Sequence, residues 1–322
     1  MKVLIVCRSK KGGVSPYISR QVESIRRRRI QTEYFLICHK GWSGYLKYFP
    51  ELVKQIDLFK PNIIHAHYGY SGLLAVMQRK VPVIITFHGS DINNPKNRII
   101  SKVANYWSSF SIFVTQKLAF LAKAKKNLFS IIPCGVDLIV FHPVNKSESR
   151  RYLGYPPEEI LVLFSGSFRV PVKNYPLAIS ALSILNQHNS STTPIRLIEL
   201  SGYSTEEVNL LLNACDVALL TSISEGSPNF IKEAMACNRP IVSTDVGDVR
   251  DLVEGIPGCF ISESNPKDVA DKIKQALEFE NSIGARERII DREMGINETA
   301  RKIVAVYEQV HIKKHKSDIT NL

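Results

Sequence analysis

Short apolar runs alternate with helical stretches along this 322-residue chain, and this alternation limits the folds that it can adopt. In the first half the runs are residues 3–7, 34–38, 62–65, 83–86, 112–115 and 131–132, with helical patterns between them, as at 17–28 and 73–79. Further runs follow at 160–164, 196–200 and 217–220. Strands that alternate with helices form parallel sheets. Because a domain of this kind has about 150 residues, the sequence predicts an α/β protein with two domains.

The composition is that of a soluble globular protein, with 44% hydrophobic and 22% charged residues. No apolar stretch approaches the roughly 18 residues of a membrane span. The first run, residues 3–7, is too short for a signal peptide, so we expect a buried strand and a cytoplasmic protein. The six cysteines are scattered without metal-ligand spacing, and we expect them to be reduced and structural.

Positive charge is concentrated in the first half of the chain. Residues 1–145 hold 22 Lys and Arg against 6 Asp and Glu, a net charge of +16, while residues 146–322 hold 20 against 24, a net charge of −4. Four consecutive arginines, Arg26 to Arg29, end one predicted helix, and Lys117, Lys123, Lys125 and Lys126 form a second basic stretch. Such a field attracts an anionic membrane surface or an anionic acceptor. Nucleic acid is not expected, since no nucleic-acid module is present.

Two glutamates, Glu225 and Glu233, stand on either side of a predicted helix start. The apolar run 217–220 is followed by a turn containing Gly226 and Pro228, and then by a helical pattern. Glu225 is then in the loop, and Glu233 lies about two turns into the predicted helix. A helix N-terminus favours a phosphate, because its first amides are unpaired and its dipole is positive there. Carboxylates beside an anion site suit a ligand that also has hydroxyl groups, as a nucleotide sugar does.

The segment 225–247, with Glu-Gly-x-Pro, Glu-Ala-Met-Ala and Pro-Ile-Val-Ser-Thr-Asp-Val-Gly, closely resembles the donor-site signature of the family 4 glycosyltransferases. The resemblance implies the GT-B fold, in which two Rossmann-like domains face a cleft and a C-terminal helix crosses back to the first domain. It implies that Glu225 contacts the transferred sugar and that Glu233 binds the nucleotide ribose. The backbone of the connecting loop would meet sugar and phosphate, which gives the donor residues Gly226, Ser227, Pro228, Asn229 and Phe230.

A second donor element is the loop after the run 160–164. It carries Arg169 and Lys173, and such cations suit a diphosphate. Family members usually have arginine directly after the glycine and lysine about five residues later. This chain has Ser167 in the arginine position and a loop that is one residue longer. Lys173 therefore matches the family lysine, and Arg169 is the candidate for the missing arginine.

The run 83–86 leads into Thr-Phe-His-Gly-Ser-Asp, which resembles a first-domain motif of the family whose histidine faces the donor sugar. This makes His88 the third predicted catalytic residue, with Lys173 and Glu225. His65 and His67 match a neighbouring motif without an assured role. The three histidines are not expected to form a zinc site, because no further metal-ligand pattern is present.

The resemblance also places the acceptor and phosphate loop and the domain limits. Gly12 and Gly13 follow the first strand, where a backbone must approach a ligand closely, although they do not complete G-x-G-x-x-G. Residues 133–137 resemble the interdomain connection, with Cys134 in place of the usual asparagine, so that a polar contact is expected to be missing. The predicted limits are 1–145 for the acceptor-side domain, 146–296 for the donor domain, and 297–322 for the crossing helix and basic tail.

The sequence thus predicts a retaining glycosyltransferase that uses a nucleoside diphosphate sugar and a glycan or lipid-linked acceptor in cell-surface polysaccharide synthesis. No D-x-D motif occurs, so neither a metal nor another cofactor is expected. The basic first domain is expected to hold the protein on the inner face of the cell membrane. Two alternatives stay open: a sugar-nucleotide epimerase of the same fold, and a non-catalytic sugar-nucleotide-binding subunit of a membrane assembly.

Overall fold

The computed structural model of the chain describes residues 1–9, 13–39, 41–188, 195–279 and 283–320. Its strands are β1 (Lys2–Arg8), β2 (Gln31–Ile37), β3 (Ile63–His67), β4 (Val83–Phe87), β5 (Phe110–Phe113), β6 (Phe129–Ile131), β7 (Ile160–Phe164), β8 (Ile195–Glu199), β9 (Val217–Leu220), β10 (Ile241–Thr244) and β11 (Cys259–Ser262). Its helices are α1 (Pro16–Arg26), α2 (Gly41–Leu46), α3 (Phe49–Phe59), α4 (Gly69–Val76), α5 (Ser90–Asn93), α6 (Pro95–Trp107), α7 (Gln116–Ala122), α8 (Lys146–Leu153), α9 (Tyr175–His188), α10 (Thr205–Ala214), α11 (Asn229–Ala236), α12 (Val249–Val253), α13 (Pro266–Leu277), α14 (Ala285–Asp291) and α15 (Ile296–Thr320).

Two compact units divide the chain: unit 1 is Met1–Gly135 with Ile296–Leu322, and unit 2 is Val136–Gly295. Unit 1 contains a parallel sheet of six strands in the order β2-β1-β3-β4-β5-β6. Every residue of β3 and β4 is buried. Continuous burial is expected of a parallel sheet whose two faces are both covered by helices, and it explains why these strands do not alternate between apolar and polar residues.

The C-terminal helix α15 belongs to unit 1, as predicted for a helix that crosses back to the first domain. It packs against α1. Ile303, Tyr307 and Val310 are buried with Val3 and Ile5 of β1 in one apolar cluster. Their spacing of three and four residues gives one apolar stripe on the helix. The helix was predicted for 297–310 and extends to Thr320.

Unit 2 contains a parallel sheet of five strands in the order β11-β10-β9-β7-β8. The helices α10 and α11 bury their apolar residues in one cluster, and α9 and α13 bury theirs in another. The two clusters share the strand residues of β7, β9 and β10, with alternate residues in each. Unit 2 is thus also a sheet covered on both faces.

The strand order reverses once in each unit. In unit 1 the chain goes from β1 outward to β2 on one side, and then to β3 on the other side of β1. In unit 2 it goes from β7 to β8, and then to β9 on the other side of β7. At such a reversal, the connections after the two neighbouring strands leave in opposite directions. This opens a crevice at the carboxyl ends of the two strands. The β1/β3 and β7/β9 switch points are therefore the places to look for ligand sites.

The unit boundary lies ten residues before the boundary predicted at 145/146. Val136 donates its amide to the Met294 carbonyl at 3.0 Å, and Phe141 is buried in the core of unit 2. These contacts draw the segment after Gly135 into the second unit. A smaller shift affects the fifth strand, predicted for 112–115: it ends at Phe113, because the Thr115 side chain caps α7 by accepting from the Leu118 amide.

Candidate functional site

Lys173 and Glu225 are paired at the β7/β9 switch point of unit 2. Lys173 ends a short 3-10 turn after β7, and Glu225 lies in the loop after β9. Lys173 Nζ donates to Glu225 Oε1 at 2.7 Å, and Ser222 Oγ donates to the same oxygen at 2.8 Å. Thr221 Oγ1 donates to the carbonyls of Lys173 at 3.0 Å and Asn174 at 3.1 Å. The two loops therefore form one polar cluster that holds a cation beside a carboxylate.

The N-terminus of α11 lies in the same chain segment as Glu225 and is suited to an anion. Its N-cap residue, Pro228, provides no side-chain hydrogen bond. Asn229 Oδ1 is buried and has no hydrogen-bond partner within the described part of the chain. A buried polar atom without a partner is costly unless a ligand or water satisfies it. That oxygen needs a hydrogen-bond donor such as a hydroxyl group, while the helix N-terminus, whose first amides have no partner within the helix, favours a negatively charged group.

Glu233 and Phe230 of α11 are both largely buried. Glu233 is 9% exposed and lies four residues after Asn229, so that both are on one face, little more than one turn into the helix rather than the predicted two. Phe230 is 6% exposed and lies in the apolar core of unit 2. Of the predicted donor residues, Phe230 therefore offers a ligand only its backbone.

Ser227 belongs to a hydrogen-bonded group that sequence reasoning missed. Ser227 Oγ donates to Asp248 Oδ2 at 2.7 Å, and Lys232 Nζ lies 3.1 Å from Ser227 Oγ as its donor. Lys232 is fully buried. Burial raises the pKa of Asp248, and the positive charge of Lys232 opposes that rise. The group fixes the donor loop to the segment after β10, and no local pattern reveals it because Asp248 is distant in sequence.

Gly226 touches Gly247, and this contact requires a glycine. Gly247 has φ +63°, and a Cβ atom there would lie 2.3 Å from the Gly226 carbonyl oxygen. Both the positive φ and the close approach exclude a side chain. The loops after β9 and β10 thus meet backbone to backbone at the predicted donor loop.

Ser167, which occupies the family's arginine position, is hydrogen-bonded to the carboxylate of Glu199. Its Oγ donates to Glu199 Oε1 at 2.6 Å, and the Phe168 amide donates to the same oxygen at 2.8 Å. These bonds lower the pKa of Glu199, to which the charge of Arg169 adds a smaller effect. Arg169 is exposed. Glu199 was not predicted as a site residue, since only the strand pairing of β7 with β8 brings it here.

A pocket of about 760 Å³ lies within unit 2 at the carboxyl ends of β9, β10 and β11. Ser222, which hydrogen-bonds Glu225, is part of its wall, and so are Thr244, Asp245 and Lys272. Its size is in the range of small-molecule sites. The Glu225 cluster thus adjoins a space that could hold part of a ligand.

In unit 1, His88 follows β4 and is held on two sides. Its Nε2 lies 3.0 Å from His67 Nδ1, and its Nδ1 lies 3.6 Å from Cys134 Sγ. The amides of His88 and Gly89 donate to Asp91 Oδ1 at 3.2 and 2.9 Å. The polar contact that was expected to be missing at Cys134 is therefore made by its thiol, to the predicted catalytic histidine.

Burial sets the charge states around His88. It lowers the pKa of His67 to about 3, so His67 is neutral near pH 7. It raises the pKa of Asp91 to about 6, against the effect of the backbone hydrogen bonds. The contact between His67 Nδ1 and His88 Nε2 needs one proton between the two nitrogens. Neutral His67 either donates this hydrogen bond or accepts it, so the tautomer of His67 controls the tautomer of His88.

His65 has a structural role. Its Nδ1 lies 2.6 Å from Tyr307 Oη and its Nε2 lies 2.7 Å from Thr86 Oγ1, and the ring is fully buried. Both ring nitrogens are therefore used. His65 ties α15 to the sheet of unit 1 through Tyr307.

Two tyrosines beside His88 were also not predicted from the sequence as site residues. The Tyr17 and Tyr68 hydroxyls are hydrogen-bonded, and their ring centroids lie 5.2 and 4.7 Å from that of His88. Burial raises the pKa of both hydroxyls. Tyr68 has φ +71°, a conformation that costs free energy in a residue other than glycine and often marks a functional site.

Of the predicted acceptor and phosphate loop, Gly12 lies outside the described residues. Gly13 is exposed, its carbonyl accepts from Ser9 Oγ at 3.2 Å, and a Cβ atom there would meet none of the described residues within 4 Å.

The described residues contain no group of three or more His, Cys, Asp or Glu side chains placed to hold a metal ion. Within the same residues, no helix has the length and apolarity needed to cross a membrane.

The two halves of the chain match two family models. Residues 1–139 match "Glycosyltransferase Family 4", and residues 159–278 match "Glycosyl transferases group 1". The second match contains Lys173, Glu225 and Glu233, and the first contains His88.

Individual proteins are similar over much of the chain. An uncharacterized glycosyltransferase of Methanocaldococcus jannaschii is 25% identical over 77% of this chain and 76% of its own length. TuaC of Bacillus subtilis, whose name assigns it to teichuronic acid biosynthesis, is 30% identical over 62% of this chain but only 57% of its own length. Among solved structures, Anabaena HepE in complex with UDP has a TM-score of 0.77 at 18% identity, covering 96% of this chain and all of that one. At that identity the likeness shows the fold alone, which is the predicted GT-B fold.

Proposed function

Because the chain belongs to the family 4 glycosyltransferases, we propose that it transfers a sugar from a nucleoside diphosphate sugar, with retention of anomeric configuration. The acceptor is a glycan or a lipid-linked sugar of a cell-surface polysaccharide. The nucleotide of the HepE structure and the name of TuaC support a uridine nucleotide and a polysaccharide product, respectively.

One observation carries the proposal: a lysine, two glutamates and an uncapped helix N-terminus share the β7/β9 switch point of unit 2. Lys173 and the first amides of α11 favour a diphosphate. Glu225 and Glu233 supply acceptors for hydroxyl groups. A plain phosphate ligand would not need these carboxylates, whereas a nucleotide sugar has hydroxyls for both.

The proposed roles follow from charge and position. As the sugar leaves, negative charge develops on the diphosphate, and Lys173 with the α11 amides stabilises it. Glu225 binds the transferred sugar and Glu233 binds the ribose. His88 is assigned to the transferred sugar, and its tautomer is set by neutral His67 at Nε2 and by the Cys134 thiol at Nδ1.

The donor test begins with UDP, followed by a panel of nucleotide sugars. A ligand present at 100 times its Kd stabilises the protein by about 2.7 kcal/mol, which a thermal shift detects. The best donor is then incubated with lipid extracts or oligosaccharide acceptors, and the anomeric configuration of the product is read by NMR. Inversion, or the absence of any nucleotide sugar that stabilises the protein, would contradict the proposal.

The same incubation distinguishes the two alternatives. An epimerase converts the nucleotide sugar without an acceptor. A non-catalytic binding subunit is stabilised by the donor but releases no nucleotide when acceptor is present. Transfer to an acceptor excludes both.

Turnover is proposed to be independent of metal ions. Lys173 and the α11 amides provide the positive charge that a bridging cation would otherwise supply, and the chain has no D-x-D motif. EDTA should therefore leave the rate unchanged. A rate that is lost with EDTA and restored by Mg²⁺ would contradict this part of the proposal.

The positive charge of residues 1–145 is proposed to place the enzyme on an anionic membrane, where a lipid-linked acceptor resides. Flotation with liposomes of neutral and anionic lipid, at low and high salt, tests this. Recovery that is independent of lipid charge and of salt would instead assign the charge to an anionic soluble acceptor.

A further inference from the structure

Exposed apolar side chains form a stripe along α6. Ile99 is 68% exposed, Val103 43%, Tyr106 66% and Trp107 49%. Their spacing of four, three and one residues places them on one side of the helix. Because water is unfavourable for such a stripe, its contiguity indicates a surface that meets another apolar phase or a partner.

The neighbouring helix α7 adds a further exposed aromatic residue. Phe120 is 80% exposed. Lys125, which follows α7, donates to the carbonyls of Tyr106 at 3.1 Å and Ser108 at 2.6 Å, so the chain after α7 lies against the C-terminal end of α6. The two helices also pack on one another. We name the exposed residues of α6 and α7, with the lysines that flank them, the α6–α7 face.

The α6–α7 face has only positive charge. From Ile92 to Val136 the sequence contains seven basic residues and no Asp or Glu. These residues are Lys96, Arg98, Lys102, Lys117, Lys123, Lys125 and Lys126. An apolar stripe flanked by lysines matches the composition of helices that lie in the headgroup region of an anionic bilayer. A nucleic acid would use the lysines but not Ile99 and Val103.

A basic pocket adjoins the end of the stripe. It has a volume of about 440 Å³, and Trp107, Arg79, Lys313 and Lys314 contribute to its wall. The Arg79 guanidinium lies 3.9 Å from the centre of the Trp107 ring. Lys80 also lines the pocket, but its Nζ is paired with Asp57 at 3.1 Å. Lys314 Nζ donates to the Lys80 carbonyl at 2.9 Å. A tryptophan beside these cations suits the level of lipid phosphates.

The four-arginine run, in contrast, is largely used within unit 1. Arg26 and Arg27 form ion pairs with Glu23, and Arg26 Nε donates to Thr32 Oγ1 at 2.6 Å. Arg28 donates to the Asn297 carbonyl at 3.0 Å, at the start of α15. These contacts occupy Arg26, Arg27 and Arg28 within unit 1.

We propose that the α6–α7 face is the membrane-docking surface: Ile99, Val103, Tyr106 and Phe120 enter the headgroup region of an anionic bilayer, and the pocket beside Trp107 takes a lipid phosphate. The role of this surface, which is to bring the enzyme to a lipid-linked acceptor, rests on the proposed function. Its test is independent of transfer activity.

The first experiment compares two matched double variants in flotation with phosphatidylcholine vesicles, with and without phosphatidylglycerol. Ile99→Ser/Tyr106→Ser removes two residues of the α6–α7 face, and Ile290→Ser/Tyr152→Ser removes two similarly exposed residues of unit 2. The first is expected to lose about tenfold or more in affinity for anionic vesicles, and the second to bind like the wild type. Equal binding by the two variants would overturn the proposal.

The second comparison uses two double variants that each remove two positive charges. Lys102→Gln/Lys123→Gln should weaken vesicle binding by about tenfold and lower its salt dependence, whereas Arg27→Gln/Arg29→Gln should not. Fluorescence of Trp107 in a Trp42→Phe background should shift to the blue only with anionic vesicles. Stronger loss of binding in the arginine variant than in the lysine variant, or an unshifted Trp107 spectrum, would contradict the proposal. So would a lipid-free wild type that is dimeric while Ile99→Ser/Tyr106→Ser is monomeric, because the face would then bind a second copy of the chain.

Thermal stabilisation by UDP separates this inference from the proposed function. All variants should retain it, because none touches unit 2 near the β7/β9 switch point. If wild-type protein docks on vesicles through the α6–α7 face but no nucleotide stabilises it, the proposed function fails and the docking surface stands.

Discussion

Lys173 Nζ lies 2.7 Å from Glu225 Oε1, although 52 residues separate the two in the chain. The pair is four-fifths buried, with side-chain exposures of 21% and 19%. It joins the loops that follow β7 and β9, the strands on either side of the switch point. The cation proposed for the diphosphate is therefore positioned by the carboxylate proposed for the sugar.

Replacing Lys173 with alanine is expected to lower kcat/KM by about 10²–10³, the loss typical of removing one donor to a developing anion. Steady-state kinetics with the identified donor measures it. Lys274→Ala, an exposed lysine of α13, is the control and should be silent. A similar loss in Arg169→Ala would show that the diphosphate is shared between both cations, whereas a silent Arg169→Ala assigns it to Lys173.

Replacing Glu233 with alanine is expected to weaken UDP binding by about 1–3 kcal/mol, because a carboxylate bound to ribose hydroxyls forms charge-assisted hydrogen bonds. Calorimetric titration with UDP measures the change. Glu225→Ala is the comparison: it should lower kcat without weakening UDP binding, since Glu225 is assigned to the sugar. An unchanged Kd in Glu233→Ala would remove the ribose assignment.

Gly247→Ala is expected to reduce donor affinity, because its Cβ atom would lie 2.3 Å from the Gly226 carbonyl oxygen and must displace the donor loop. Gly255→Ala is a matched control, since Gly255 also has a positive φ, +74°, but nothing lies within 4 Å of an added Cβ atom. Both variants should lose roughly 1 kcal/mol of stability from backbone strain, and more is expected for Gly247→Ala. Only Gly247→Ala should bind UDP more weakly, and equal UDP affinities would show that the loop contact is unimportant.

Acid is expected to destabilise unit 1 between pH 6.5 and about 3. In the unfolded chain His67 gains a proton as the pH falls through 6.5, whereas in the folded chain its pKa is about 3, so protonation favours unfolding. At pH 5 this amounts to about 2 kcal/mol, and buried His65, whose pKa is also lowered, adds to it. Asp91 acts in the opposite direction, since its folded pKa of about 6 favours the folded state as the pH falls from 6 to 3.8.

The melting temperature of the wild type and of His67→Gln, followed from pH 7 to pH 5, measures this dependence. The variant has one fewer buried histidine to protonate, so its melting temperature should fall less over that range, whatever its value at pH 7. Parallel curves would show that His67 does not contribute to the acid sensitivity.

Local patterns by themselves determined the alternation of strands and helices and one half of the candidate site. A strand such as Ile160–Phe164 was predicted with its observed bounds, because an apolar run between turn residues has few other solutions. Glu225, Gly226, Asn229 and Glu233 lie within one short segment, so their association with a helix start was visible in the sequence.

The tertiary structure alone decided which distant residues meet. Strand order places Lys173 against Glu225, Glu199 against Ser167, and Cys134 and His67 against His88. It buries the Phe230 side chain and gives the arginine run partners within unit 1. The periodicity of a single chain records which face of an element is apolar, but not which strands are neighbours, because pairing depends on how all the layers pack together.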